Sequence, residues 1–266
     1  MGALRRDFLP ADLRREMDGA AVNACVAVQA RQTLDETQWL LQLADAHPFV
    51  AGVIGWIDLQ ADDAAQQLAR FVDHPKFLGV RHIVQGEPDD RFMLRPAFCR
   101  GISLLEDRNL TYDILVYPKH LAASAEFVSR FERQPFVLDH LAKPNIRAGE
   151  MPEWEKGIRE LATCPMVSCK LSGLVTEADW TRWTPDEIRP YLDVAFDCFG
   201  AYRLLVGSDW PVCTVAADYG RTISVVDEYM TGRPTAERHA VMGGNAARLW
   251  RLPGVAPRGL PKGEFV

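Results

Sequence analysis

No Cys-x-x-Cys pair occurs among the six cysteines, Cys25, Cys99, Cys164, Cys169, Cys198 and Cys213. That excludes a structural zinc site of the finger or ribbon type. Most of the six lie in apolar segments, as buried free thiols do, so the reading is a reducing cytoplasm without a disulfide framework. No apolar run approaches the roughly 20 residues that span a bilayer. No apolar segment follows the N-terminal arginines, so neither a membrane partner nor a signal peptide is read. A basic excess is also lacking: 36 acidic residues stand against 30 basic ones, for a formal charge of −6. Nucleic acid, whose phosphates favour a basic face, is therefore not an expected partner. The densest basic stretch, Arg5-Arg6 and Arg14-Arg15, is broken by Asp7, Asp12 and Glu16, as on a solvated helix face. No Gly-x-Gly-x-x-Gly turn, Walker-type loop, internal repeat or linker occurs. Nor does any His-x-His; the six histidines stand at positions 47, 74, 82, 120, 140 and 239.

What is present is an alternation of two kinds of segment. Residues 22–28, 50–56, 77–84, 111–116, 136–140, 166–171 and 203–208 are short and β-branched or aromatic. Several are apolar on both faces, as parallel strands covered by helices must be. Between them lie helical patterns. Thr33-Leu34-Asp35-Glu36 and Thr184-Pro185-Asp186-Glu187 read as capping boxes, the second with proline at the first helical position. After it Ile188, Tyr191, Leu192, Ala195, Phe196 and Phe199 form one apolar stripe. Residues 61–73, 95–109, 119–133, 152–163, 218–230 and 235–250 read as further helices, and the tail from Pro253 as irregular. Strand-helix alternation implies a parallel sheet with right-handed crossovers. The chain of 266 residues suits one domain, 1–266, of the (β/α)8 TIM type. Seven units can be counted where a closed barrel needs eight. An open doubly wound sheet is the alternative, and the missing glycine-rich turn argues against it.

In such a barrel the active site lies at the C-terminal ends of the strands. Asp209 ends the last strand, where a carboxylate can take a proton from water; a turn or N-cap aspartate is the equal alternative. Asp139-His140 ends the strand at 136, and His140 can polarise a carbonyl, shuttle a proton, bind a metal or simply pack in the core. Lys143-Pro144 follows. Arg81-His82, with Gln85 beyond, could grip a substrate oxygen or form inter-strand ion pairs. Lys170, in an otherwise apolar strand, needs a partner or a polar cavity. Tyr117 reads as a wall of the pocket, and Trp180 and Trp183 as a lid or as packing for the outer helices.

Four stretches together resemble one family: 137–144 around Asp139-His140, 170–177 around Lys170-Leu171-Ser172-Gly173, 206–213 around Ser208-Asp209-Trp210-Pro211, and Gly79-Val80-Arg81-His82-x-x-Gln85. Together they resemble the lactonase branch of the amidohydrolase superfamily, the L-fuconolactonase and L-rhamnonolactonase-like enzymes. Arg5-Arg6-Asp7-Phe8-Leu9-Pro10 resembles a family stretch that normally lies well inside the chain. Members usually begin with a strand ending in His-x-His, so the expectation is a barrel lacking its first strand, Met1 corresponding to an internal methionine. The resemblance implies a hydrolase of a sugar-acid lactone. Asp209 would be the general base and His140 a metal ligand or carbonyl polariser. Arg81, His82, Lys170, Gln85 and Trp210 would face the substrate. The two-metal lysine and histidine of the superfamily have no match, which leaves at most one divalent cation such as zinc, or none, held by His140 and Asp209. A hydrolase or decarboxylase for an aromatic-derived dicarboxylate is the alternative on this scaffold, and a catalytically dead sugar-acid-binding barrel is a second. Unpaired strand edges leave a homo-oligomer open.

Overall fold

Seven of the apolar segments form strands, and the order of the strands in the sheet is their order in the chain. The computed structural model describes residues 2–252; the tail expected to be irregular lies outside them. The strands are β1 (Cys25–Val28), β2 (Val50–Gly55), β3 (Phe77–His82), β4 (Thr111–Ile114), β5 (Phe136–Leu138), β6 (Val167–Leu171) and β7 (Leu204–Val206). Every neighbouring pair is parallel. This is the strand arrangement of a TIM-type barrel in which, among the described residues, β1 and β7 are not paired with each other.

The sheet curls because its two faces bury different things. Outward-pointing Tyr112, Ile114, Phe136, Leu138, Val167, Cys169, Leu171 and Leu204 join one large core with the surrounding helices. The alternate positions Ile54, Leu78, Val137 and Leu205 meet in a second cluster with Trp250. Side chains from β2, β3, β5 and β7 can share one cluster only if the sheet wraps around a common lumen. Trp250 closes the base, its indole N–H donating to Thr111 Oγ1 on β4 at 3.2 Å. On the unpaired side, Met17 of the helix Pro10–Gly19 packs with Tyr219 and Ile223 of the helix Tyr219–Tyr229. The same cluster touches Cys25 of β1 and Val206 of β7, so it spans both edge strands.

Several boundaries differ from the sequence reading for local reasons. β5 stops at Leu138 rather than at residue 140, because the next residues turn into left-handed backbone. The helix expected over 235–250 is three pieces, Thr235–His239, a π-helical stretch Ala240–Gly244, and Asn245–Leu249. There Asn245 is buried and donates to the carbonyls of Ala201 and Leu204, both at 2.7 Å, tying the break to β7. The box at Thr184 forms, Glu187 accepting from the Thr184 N–H at 2.7 Å. At Thr33 only half of it does: Thr33 accepts from Glu36 N at 3.2 Å, while the Glu36 carboxylate turns to the N–H groups of Ala30 and Arg31. All six cysteines are free thiols. No helix of the described residues is long and apolar enough to cross a membrane.

Candidate active site

Alternation along the strands stacks the lumen in layers. In β4, β5 and β6 the residue two beyond an apolar or small inward position is charged: Thr111 then Asp113, Val137 then Asp139, Ser168 then Lys170. With Arg81 of β3 and Gln29 just after β1, these form a polar layer above the apolar base. Lys170 Nζ lies 2.5 Å from Asp113 Oδ2 and 2.6 Å from Asp139 Oδ1. Arg81 reaches the other oxygen of Asp139 at 2.8 Å and donates to the Gln29 side-chain oxygen at 3.1 Å and to its carbonyl. Thr111 donates to the second oxygen of Asp113 at 3.2 Å. Two carboxylates that are wholly buried thus face two cations, and no bare charge is left, which is the condition for burying ions at all. Burial acts to raise the pKa of Asp139, but Lys170 and Arg81 outweigh it and hold the group well below the usual carboxylate range. For Asp113 burial, helped by the neighbouring Asp139, wins over Lys170 and the weaker pull of Arg81, and its pKa is pushed up.

The rim above this layer is built on unusual backbone. His140, Leu141, Ala142 and Lys143 all have φ between 50° and 57°, and Asp209 has φ 54°. Left-handed backbone costs a residue with a Cβ about 1–2 kcal/mol, so something must hold these five residues there. Leu141 and Ala142 are fully buried, and Trp154 donates its indole N–H to the Leu141 carbonyl at 2.7 Å. The Asp209 carbonyl accepts from Cys213 N at 2.9 Å. Such strain clusters at functional sites.

The turn aims His140 and Asp209 at each other. His140 Nε2 stands 3.7 Å from Asp209 Oδ1, too far for a direct hydrogen bond and close enough to share a small third group. The other ring nitrogen, Nδ1, is 2.8 Å from Ser172 Oγ just after β6. Behind the ring lies Gly173, φ 67°, where a Cβ would come within 2.9 Å of His140 Cβ. Burial pushes the His140 pKa down, with Asp209 and Asp139 opposing, which favours the neutral imidazole.

The remaining sequence candidates are placed less uniformly. Arg81 and Lys170 lie in the lumen but are engaged with Asp139, Asp113 and Gln29. His82 is turned to the outer side: its ring stacks on Phe92 at 4.9 Å, Nδ1 accepts from Trp56 Nε1 at 3.3 Å and Nε2 meets Glu87 at 2.8 Å. Gln85 is partly buried and its side-chain oxygen is buried without a partner among the described residues. Trp210 packs edge-to-face with Phe8 at 5.2 Å, which brings the N-terminal segment to the mouth beside Asp209. Tyr117 is exposed at the end of β4. Trp180 and Trp183 donate to the carbonyls of Thr176 and Ala216, at 2.8 and 2.9 Å, and Trp183 packs against the main core. Reading strand ends alone passed over Asp113, Gln29 and Ser172. An aspartate between Tyr112 and Ile114, at an inward position, was the available signal for the first.

A family model described as amidohydrolase matches residues 2–252. The chain belongs to the amidohydrolase family. It is 42% identical to an L-fucono-1,5-lactonase of Burkholderia multivorans, the match covering 95% of this chain and 89% of that protein. It is 39% identical to an L-fucono-1,5-lactonase of Burkholderia ambifaria, over 95% and 88% of the two chains. Among solved structures, a crystal structure of a Burkholderia multivorans amidohydrolase with bound zinc superposes with a TM-score of 0.92 at 42% identity, covering 95% of this chain and 92% of that one.

A zinc-bearing relative makes the donor set of this amidohydrolase worth testing. A catalytic zinc takes three protein ligands, with water in the fourth place. Among the described residues no three His, Cys, Asp or Glu side chains converge. His140 Nε2 and Asp209 Oδ1 make a pair, while Nδ1 of His140 is committed to Ser172. The described side chains therefore do not fit a catalytic zinc by themselves.

Proposed function

We propose that this chain hydrolyses the lactone of a sugar acid, with Asp209 as general base and His140 as the group that polarises the carbonyl. The observation that carries the reading is the His140–Asp209 pair at 3.7 Å, brought together by left-handed backbone in the turns after β5 and β7. Its likeness to two L-fucono-1,5-lactonases along 95% of the chain supports the substrate class. In the reaction, Asp209 removes a proton from a water as the oxygen attacks the lactone carbonyl. Nδ1 lies 2.8 Å from Ser172 Oγ; in the proposed tautomer that hydroxyl donates to Nδ1 and the imidazole proton sits on Nε2, where it can hydrogen-bond the developing oxyanion. Collapse of the tetrahedral adduct breaks the ring C–O bond. The proton held by Asp209 passes to the departing ring oxygen, and the product is the open hydroxy acid.

In this reading Arg81 and Lys170 hold the lumen together rather than meet the substrate. Their charges are paired with Asp139 and Asp113, and Arg81 also donates to Gln29. The dicarboxylate reading wants free arginines at strand ends, and the strand-end Arg81 is spent internally, which favours a neutral lactone. The test is a pH-indicator assay on a panel of lactones with the wild-type chain and Asp209→Asn. The substitution is expected to lower turnover of sugar lactones by about two orders of magnitude, the size of a lost general base. Unchanged turnover would remove Asp209 from the role.

A further inference from the structure

Tyr117, Lys143, Glu177 and Asp209 lie in the segments that follow β4, β5, β6 and β7, so their order along the rim is that of the strands. The middle two stand out for what they lack. The side chains of Lys143 and Glu177 are only 20% and 24% exposed, yet among the described residues neither head group has a hydrogen bond. Their contact is a separation of 4.0 Å between Nζ and Oε1, and Nζ also lies 5.7 Å from the centre of the Tyr117 ring. Half-buried charged groups whose heads still reach the rim keep hydrogen-bonding capacity for a ligand. Glu177 follows β6, which lies between β5 and β7, the strands that precede His140 and Asp209.

We propose that Lys143 and Glu177 form a subsite that grips one hydroxyl of the substrate and so selects polyhydroxylated lactones over plain ones. The inference rests on the lactone reading above. The geometry suits a hydroxyl: hydrogen bonds of about 2.8 Å to each partner close a triangle over the 4.0 Å gap with roughly a right angle at the hydroxyl oxygen. That oxygen accepts from the ammonium and donates to the carboxylate. A hydroxyl does both at once; a methylene does neither, and would leave both charges without partners. Sites of this kind discriminate strongly, because the analogue lacking the hydroxyl strands buried polar groups.

The test compares two substrates, L-fucono-1,5-lactone and the unsubstituted δ-valerolactone, on the wild type, Lys143→Met and Glu177→Gln. Each substitution is expected to raise KM for the sugar lactone about tenfold or more, in line with the loss of a charge-assisted hydrogen bond. For δ-valerolactone, kcat/KM should hold or rise, since no hydroxyl is there to lose and each variant has one charge fewer to strand; retained turnover of this lactone also shows that the variants are folded. Lys143→Arg, which keeps a donor, should recover part of the sugar-lactone KM. Equal effects on both lactones, or none on either, overturn the subsite while leaving the hydrolase reading intact. A wild type that opens neither lactone overturns both.

Discussion

Two tiers of charged side chains occupy the upper half of this barrel, and they are satisfied to very different degrees. In the lower tier Arg81, Asp113, Asp139 and Lys170 spend their charges on one another, with Gln29 and Thr111 taking the remaining places. At the rim, His140 and Asp209 face each other without bonding, and Lys143 and Glu177 do the same. A closed set of ion pairs can hold a lumen open and fixed. Chemistry needs groups with capacity left over, on backbone stiff enough to keep them aimed. On the proposed mechanism the lower tier serves stability and the upper one function.

The sharpest way to break that division is Lys170→Met. It leaves Asp113 and Asp139 facing each other with Arg81 alone, and removing one partner of a buried pair costs about 3–5 kcal/mol. A chain of this size should then melt about 10 °C lower. Thermal melts followed by circular dichroism check this, and a melt within a degree or two of wild type would move Lys170 out of the lower tier.

Gly173→Ala probes the boundary between tiers. Its φ of 67° and the 2.9 Å approach to His140 Cβ leave no room for a side chain. The backbone cost is about 1–2 kcal/mol. The displaced imidazole should also cut kcat about tenfold, because small misplacements of a catalytic group are expensive. Steady-state kinetics beside a melt separate the two effects.

The smallest effect is in pH dependence. Burial lowers the His140 pKa, so the neutral form survives to lower pH than an ordinary imidazole. The acid limb of kcat/KM should therefore fall below about pH 6.5, the unperturbed value. Stability follows the same sign. Below about pH 6.5 the unfolded chain binds the proton more readily than the folded one, so stability drops as pH falls from there toward the lowered folded pKa. A limb at or above the ordinary histidine value would contradict a buried neutral His140.

Much of this was legible in the sequence and some was not, for physical reasons. The strands could be found because most are buried on both faces, which writes apolar runs into the chain; β1, at the unpaired edge, is only half-buried but keeps the apolar run Cys25–Val28. Their ends were less visible. The left-handed turn after Leu138 has no glycine to announce it, since packing of Leu141 and Ala142 enforces it. The interrupted helix near Ala240 depends on Asn245 reaching two carbonyls of a distant segment. At the site, Asp209 and His140 stood out because strand ends are where barrels react. Arg81 and Lys170 stood out on the same rule, but the rule cannot tell a group facing substrate from one facing Asp139. That distinction lies in long-range pairs, which spacing does not carry. The position of His82 has a simpler reason: next to an inward Arg81, strand alternation turns it outward onto Phe92.

The most direct test sets the two tiers side by side. Asp209→Asn and Lys170→Met would each be measured for kcat on L-fucono-1,5-lactone and for Tm. The account predicts that Asp209→Asn loses about two orders of magnitude in kcat with little change in Tm. Lys170→Met should lose about 10 °C in Tm while the folded fraction keeps most of its turnover. An Asp209→Asn protein that turns over normally, or a Lys170→Met protein that melts normally but is inactive, would contradict it.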